Sequence, residues 1–142
     1  MLRDKWVQRF KRLAEEVSTW SKDPQAKVGC VIADSNREIL SVGYNGAAAG
    51  LNDYEVLRQP NKNDFIIHAE KNALLRMKYS AGLRYAFITK APCIDCARTL
   101  ACVVHVVFCP APTDRSSKWY KEQLVAIAEL QQSGVQVFFY AV

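Results

Sequence analysis

Val103-Val104-His105-Val106-Val107-Phe108-Cys109, then Lys118 to Gln132, then Val135-Gln136-Val137-Phe138-Phe139-Tyr140 is the stretch that decides the fold. The outer two runs are short and rich in β-branched and aromatic residues, as buried strands are, and the middle one has helix length and stops at Gly134. Two strands with a whole helix between them cannot close a hairpin; the crossover rule makes them parallel neighbours joined by a right-handed connection. Working towards the N-terminus, Cys93 to Cys102 reads as a short helix and Arg84 to Thr89 as a strand. A helix begins at His68, with Ala69, Ala73, Leu74 and Met77 as its apolar face and Ser80-Ala81-Gly82 as its stop. Val28 to Ala33 and Glu38 to Tyr44 form a hairpin across Asp34-Ser35-Asn36-Arg37. Trp6, Phe10, Leu13, Val17 and Trp20 recur at intervals of four and three residues, which predicts an amphipathic helix over the first twenty, ended by Asp23-Pro24. The expectation is an α/β fold of five strands and four helices, in one domain spanning residues 1–142.

The chemistry is carried by His68-Ala69-Glu70 and Pro92-Cys93-Ile94-Asp95-Cys96. One imidazole and two thiolates are three ligands for zinc, whereas a closed structural site takes four, so a tetrahedral position is left for water. Glu70, two residues from the histidine, is placed to exchange protons with that water. His68 and Cys93 each open a helix, so two positive helix ends converge and favour the thiolates, and Pro92 suits the helix start because its missing N–H costs nothing there. This H-x-E and P-C-x-x-C pair is the general signature of zinc-dependent nucleobase deaminases. The expected cycle has water attacking C4 of the ring while Glu70 shuttles protons until ammonia leaves.

Composition narrows the class. The 142 residues are half hydrophobic and about a quarter charged, as in an ordinary globular protein. No apolar run approaches a membrane span and the N-terminus has no apolar leader segment, so the expected location is the cytoplasm, with no membrane partner. Five cysteines, two of them in C-x-x-C spacing, fit metal binding better than disulfides, and Cys30, Cys102 and Cys109 are expected in the core. A net charge of +5 favours an anionic ligand. The cluster Lys5, Arg9, Lys11 and Arg12 reads as the solvated face of the first helix, and no tract has the arginine-rich or aromatic-interleaved character of a single-strand binder. Asn45 through Asp64 is too long for a plain link and is expected beside the site.

Beyond the zinc motif, the chain resembles the deoxycytidylate (dCMP) deaminase family over nearly its whole length. The resemblance rests on Trp20-Ser21-Lys22-Asp23-Pro24, Lys27-Val28-Gly29 with Val31-Ile32, Gly43-Tyr44-Asn45-Gly46, His68-Ala69-Glu70 with Asn72-Ala73, Pro92-Cys93 with Cys96-Ala97, and Ser133-Gly134-Val135. It implies a cytidine-deaminase-like three-layer α/β/α sandwich with a central five-stranded mixed sheet whose last two strands are parallel. It also implies zinc, hydrolysis of dCMP to dUMP and ammonia, a supply of dUMP for thymidylate synthesis, and a homohexamer with dCTP and dTTP as effectors. By the same resemblance Asn45 contacts the nucleoside and the Ala69 N–H faces the ring carbonyl; the competing role of Asn45 is turn chemistry before Gly46. Ser21 and Lys22 are expected at the phosphate, against local capping and solvation. The chain departs from the family in Ala47-Ala48-Ala49, where bulkier residues, proline and often arginine are usual, which leaves effector control and tolerance of a 5-substituted cytosine open.

Two other readings compete. A polynucleotide deaminase of the tRNA-adenosine type would use the same centre, but Phe65-Ile66-Ile67 before His68 and Asn72-Ala73 after it follow the nucleotide pattern, so no nucleic-acid partner is expected. A closed structural zinc module would need Cys102, Cys109 or His105 as fourth ligand and leaves Glu70 without a role. His105, inside its apolar run, reads as a core or edge residue; the loop over 114–120 is expected at the strands' carboxyl ends beside the site, where Trp119 or Tyr120 could stack on a base, though core anchoring of the last helix is the favoured reading.

Overall fold

The alternation of side chains along the strands sorts the chain into layers. The computed structural model describes residues 2–48 and 50–141, with the Asp64 side chain also left aside. The elements run α1 (Asp4–Ser18), β1 (Gly29–Asp34), β2 (Ile39–Tyr44), β3 (Gly46–Ala47), α2 (Asp53–Val56), β4 (Ile66–Ile67), α3 (Ala69–Leu75), β5 (Arg84–Ile88), α4 (Ile94–Ala101), β6 (Val106–Cys109), α5 (Tyr120–Gln132) and β7 (Gln136–Phe139). The main sheet has the order β2-β1-β5-β6-β7. β1 is antiparallel to β2 and β5, and β6 is parallel to both β5 and β7. The mixed five-stranded sheet with parallel final strands is therefore as expected, and the crossover through α4 makes β5 and β6 parallel as well.

On one face Val31, Ala33, Tyr85 and Phe87 meet Val7, Phe10 and Ala14 of α1. An aromatic ladder crosses this face, with ring centroids 5.2 Å apart for both Phe87–Phe108 and Phe108–Phe138. On the other face Cys30, Ile32, Ala86, Ile88, Val107 and Cys109 meet small and aliphatic residues of α3, α4 and α5. This gives the α/β/α sandwich, one helix against three. Among the described residues no helix is long and apolar enough to cross a membrane.

The buried stripe of α1 is Val7, Phe10, Ala14 and Val17, not the predicted one. Phe10 and Val17 keep their places, Trp6 and Leu13 flank the stripe half-buried, and Trp20 lies past the helix end, 48% exposed. Close packing explains the shift: a Cβ on Gly29 would come within 2.1 Å of the Ala14 carbonyl oxygen, so the helix turns its smallest residue to the sheet. α3 lies equally close to β2, since a Cβ on Gly43 would meet the Ala73 nitrogen at 2.4 Å and the Ala69 oxygen at 2.5 Å. Cys30 and Cys109 are buried as expected, but Cys102 is exposed, because α4 ends at Ala101 and leaves it in the solvent-facing cap position. His105 is exposed just before the start of the inner strand β6, neither in the core nor on an edge strand, and its Nδ1 accepts the Arg84 N–H at 3.0 Å.

The long connection after β2 is tied down by polar contacts. The buried Lys62 ammonium donates to Asp23 Oδ1 at 2.6 Å, and the same oxygen accepts the N–H groups of Gln25 and Ala26. Asn45 pins the same segment, accepting from Val28 N and donating to Ala26 O, both at 2.8 Å. Burial pushes the Asp23 carboxyl up, but Lys62 and the two backbone donors outweigh it and hold it below its ordinary value. The pair's contribution is therefore full above the unfolded carboxyl pKa of about 3.9 and is lost as pH falls through the lower folded value.

Two outcomes follow for stability. Gly43→Ala, by forcing α3 off β2, is expected to lower stability by about 1–3 kcal/mol in urea unfolding and to weaken zinc uptake with it. Lys62→Met leaves a buried unpaired carboxylate and should cost about 3–5 kcal/mol at neutral pH. That deficit shrinks as pH falls below about 4 and through the lowered native value, where Asp23 becomes protonated in the unmutated protein as well, and urea titrations at neutral pH and in that acid range measure it.

Candidate functional site

His68 is the N-cap of α3 and Cys93 the N-cap of α4, both with extended backbone, and Cys96 lies in the first turn of α4. Asn72 holds the approach to α3 by donating from Nδ2 to the carbonyls of Tyr44 at 2.8 Å and Ile67 at 3.3 Å. Lys71 pairs with Asp95, so each helix is clasped to the other next to its candidate metal-ligating residues. The result brings His68 Nδ1 to 3.3 Å from Cys96 Sγ and 3.5 Å from Cys93 Sγ.

Zinc bond lengths of about 2.3 Å to sulfur and 2.0–2.1 Å to nitrogen give a tetrahedral N···S edge of about 3.5 Å. The donor set and its spacing fit Zn2+. Among the described residues the cluster contains His68, Cys93 and Cys96 alone; Cys102, Cys109 and His105 do not join it, and the sphere is not closed by a fourth side chain.

The protonation of the metal-free cluster is uneven. Cys96 donates to Cys93 and, with His68 beside it, brings the Cys93 thiol down to about 4. The same contact, reinforced by burial, pushes Cys96 up, and the Cys93 sulfur raises the His68 imidazole. Two sulfurs thus share a proton that a coordinated dication displaces. Burial pushes the Glu70 carboxyl above its ordinary value, against the pull of its own backbone N–H and of His68.

His68, Glu70 and Cys93 open into a cavity of about 460 Å³ that Asn45, Ala69 and Trp119 also line. That volume suits a nucleotide-sized ligand. Cys96 stands behind the wall, fully buried. Ser21 and Lys22, expected at the phosphate, are not brought into the cavity. The buried Ser21 hydroxyl donates to the Asn45 carbonyl at 2.7 Å and accepts the Asp23 N–H at 3.2 Å, while Lys22 is exposed and 3.7 Å from Asp53. Ala47 and Ala48 do not line the cavity either; Ala47 pairs with Ile66 between β3 and β4, and Ala49 lies outside the described residues.

Other residues line the wall besides those expected in the site. Trp119 is no core anchor, because α5 begins one residue later and leaves the indole 46% exposed against the cavity. Lys62, Lys90, Lys118 and Glu122 also line it. Their signal was positional only: Lys62 closes the long connection, Lys90 precedes Pro92-Cys93, and the 114–120 segment follows a strand's carboxyl end.

Comparison with known proteins gives this geometry its family. Residues 4–109 match the model of the cytidine and deoxycytidylate deaminase zinc-binding region. The uncharacterized deaminase in luxG 3'region of Aliivibrio fischeri is 38% identical over 136 residues, 94% of this chain and 92% of that protein. The human deoxycytidylate deaminase is 30% identical over 115 residues, and the match takes in 72% of this chain but 64% of that protein. The crystal structure of dCMP deaminase from the cyanophage S-TIM5 in complex with dCMP and dUMP superposes with a TM-score of 0.75 at 27% identity, over 99% of this chain and 100% of that one. With its zinc-fitting cluster inside the matched region, the chain is a zinc-dependent deaminase and belongs to the cytidine and deoxycytidylate deaminase family.

Proposed function

We propose that this chain hydrolyses dCMP to dUMP and ammonia, acting as one deaminase domain over residues 1–142 and supplying dUMP for thymidylate synthesis. The observation that carries the reading is Glu70, a carboxylate 4% exposed that lines the same cavity as a three-donor cluster open at its fourth position. Similarity to the cyanophage enzyme solved with dCMP and dUMP supports the choice of nucleotide.

Bound through His68, Cys93 and Cys96, zinc would supply a Lewis acid that lowers the pKa of a water. Glu70 receives the proton that water gives up on adding at C4, places it on N3, and carries the second proton to the exocyclic nitrogen, which leaves as ammonia. The carboxyl's raised pKa, caused first by burial, suits a group that must both take and return protons. The Ala69 N–H belongs to the first turn of α3 and has no partner within the helix, so it is available to the ring carbonyl. Asn45 spends one donor and one lone pair on Ala26 and Val28 and retains one of each for the nucleoside. The family resemblance extends the reading to a cytoplasmic homohexamer with dCTP and dTTP as effectors. A pocket enlarged for 5-substituted cytosine loses its support, because Ala47 and Ala48 lie outside the cavity wall.

Glu70→Gln should retain zinc in full, by metal analysis, while ammonia release from dCMP falls by about 10²–10⁴-fold. Undiminished turnover in the zinc-loaded variant would remove Glu70 from the mechanism.

A further inference from the structure

We propose that Lys90 and Lys118 form the anion subsite of this cavity and hold the phosphate dianion of a free nucleoside monophosphate, an assignment that rests on the deaminase reading above. The argument begins with the charges in the cavity wall. Three lysines line it, and Lys62 is buried against Asp23 at 2.6 Å, so its charge is already matched. Of the other carboxylates there, Glu70 stands beside the metal-ligating residues, and Glu122 accepts the Ile94 N–H at 3.5 Å. Lys90 and Lys118 remain. Both are exposed, and among the described residues neither belongs to an ion pair.

Their settings limit where the ammonium groups go. Lys118 Nζ lies 4.8 Å from the centroid of the Trp119 ring, which itself lines the cavity, so a cation–π contact holds the charge at the wall. Lys90 is rooted between buried Ile88 and Ala91 on the short link from β5 to Cys93. At the reacting end Glu70 is buried, while the two free cations are exposed in the same cavity wall. A ligand whose ring reaches Glu70 shares its cavity with these two cations, which are free to meet its anionic end. Two ammonium charges match the charge of about −1.5 to −2 on a phosphate monoester at neutral pH. Ser21 and Lys22 do not line the cavity; the Ser21 hydroxyl is engaged inside the fold and Lys22 lies near Asp53.

The test uses zinc-loaded protein, native and Lys90→Met/Lys118→Met, and compares kcat/KM for dCMP and for deoxycytidine. The native preference for dCMP should fall by about tenfold per lysine and about a hundredfold for the pair, with the loss in KM. Lys90→Arg/Lys118→Arg should restore most of it. Rising salt should raise KM for dCMP and leave that for deoxycytidine nearly level. A single-stranded deoxycytidine oligomer distinguishes the phosphate's source: preference for the oligomer over dCMP overturns the proposal. An unaltered dCMP preference in the double variant overturns it too and leaves the deaminase reading standing. Calorimetric binding of dUMP against deoxyuridine decides the subsite without turnover. A dUMP preference abolished by the double variant supports the subsite even if no ammonia is released from any substrate, an outcome that would sink the deaminase reading alone.

Discussion

The site depends on the packing of two helices too short to hold themselves. α3 has seven residues and α4 eight, well below the length at which an isolated helix is stable in water. Their starts are nevertheless where His68, Glu70, Cys93 and Cys96 must be held. The sheet supplies the missing stability: Gly43 lets the α3 backbone settle onto β2, and Ala97 and Leu100 anchor α4 in the same core as Ile88 and Val107. Small residues at these contacts give close approach, and close approach gives the cluster its N···S spacing of 3.3–3.5 Å.

The cavity wall reuses its polar residues for structure. Asn45 faces the cavity and also pins the backbone at Ala26 and Val28; Ser21 serves the Asn45 carbonyl; Lys62 and Asp23 neutralise each other out of water. A buried pair of this kind is costly to assemble and more costly to break, so it acts as a latch that fixes the long connection against the site. Because those charges are satisfied internally, the cavity's outward electrostatic character is left to Lys90 and Lys118.

The zinc-fitting cluster and the carboxylate beside it were legible in the primary sequence because only a few residue types bind zinc or move a proton, and the motif spacing is dictated by the turn of a helix. The strand order at the C-terminal side was legible for a similar reason, since a helix between two strands leaves one handed solution. The errors lie where several placements satisfy the same local rule. The α1 stripe slipped by one position at two of its residues because Trp6 and Leu13 are as apolar as Val7 and Ala14, and Gly29 on another element decides which face is buried, while Trp20 lies past the helix end. Trp119 and Cys102 were misplaced by one or two residues of helix boundary, a difference no pattern resolves. Ser21 and Lys22 looked free to bind phosphate until the fold brought Asn45 and Asp53 to them.

By itself the sequence determined that this chain carries a three-donor cluster fit for zinc and a carboxylate close to it, and builds a mixed α/β sheet. Those properties follow from residue chemistry and from periodicities of a few residues. Only the tertiary structure decided which cations remain free at the cavity, which apolar faces are buried, and which polar groups are spent on the fold. Each of these depends on contacts between residues tens of positions apart, such as Asp23 with Lys62 or Ser21 with Asn45, whose pairing is a consequence of packing rather than of spacing along the chain.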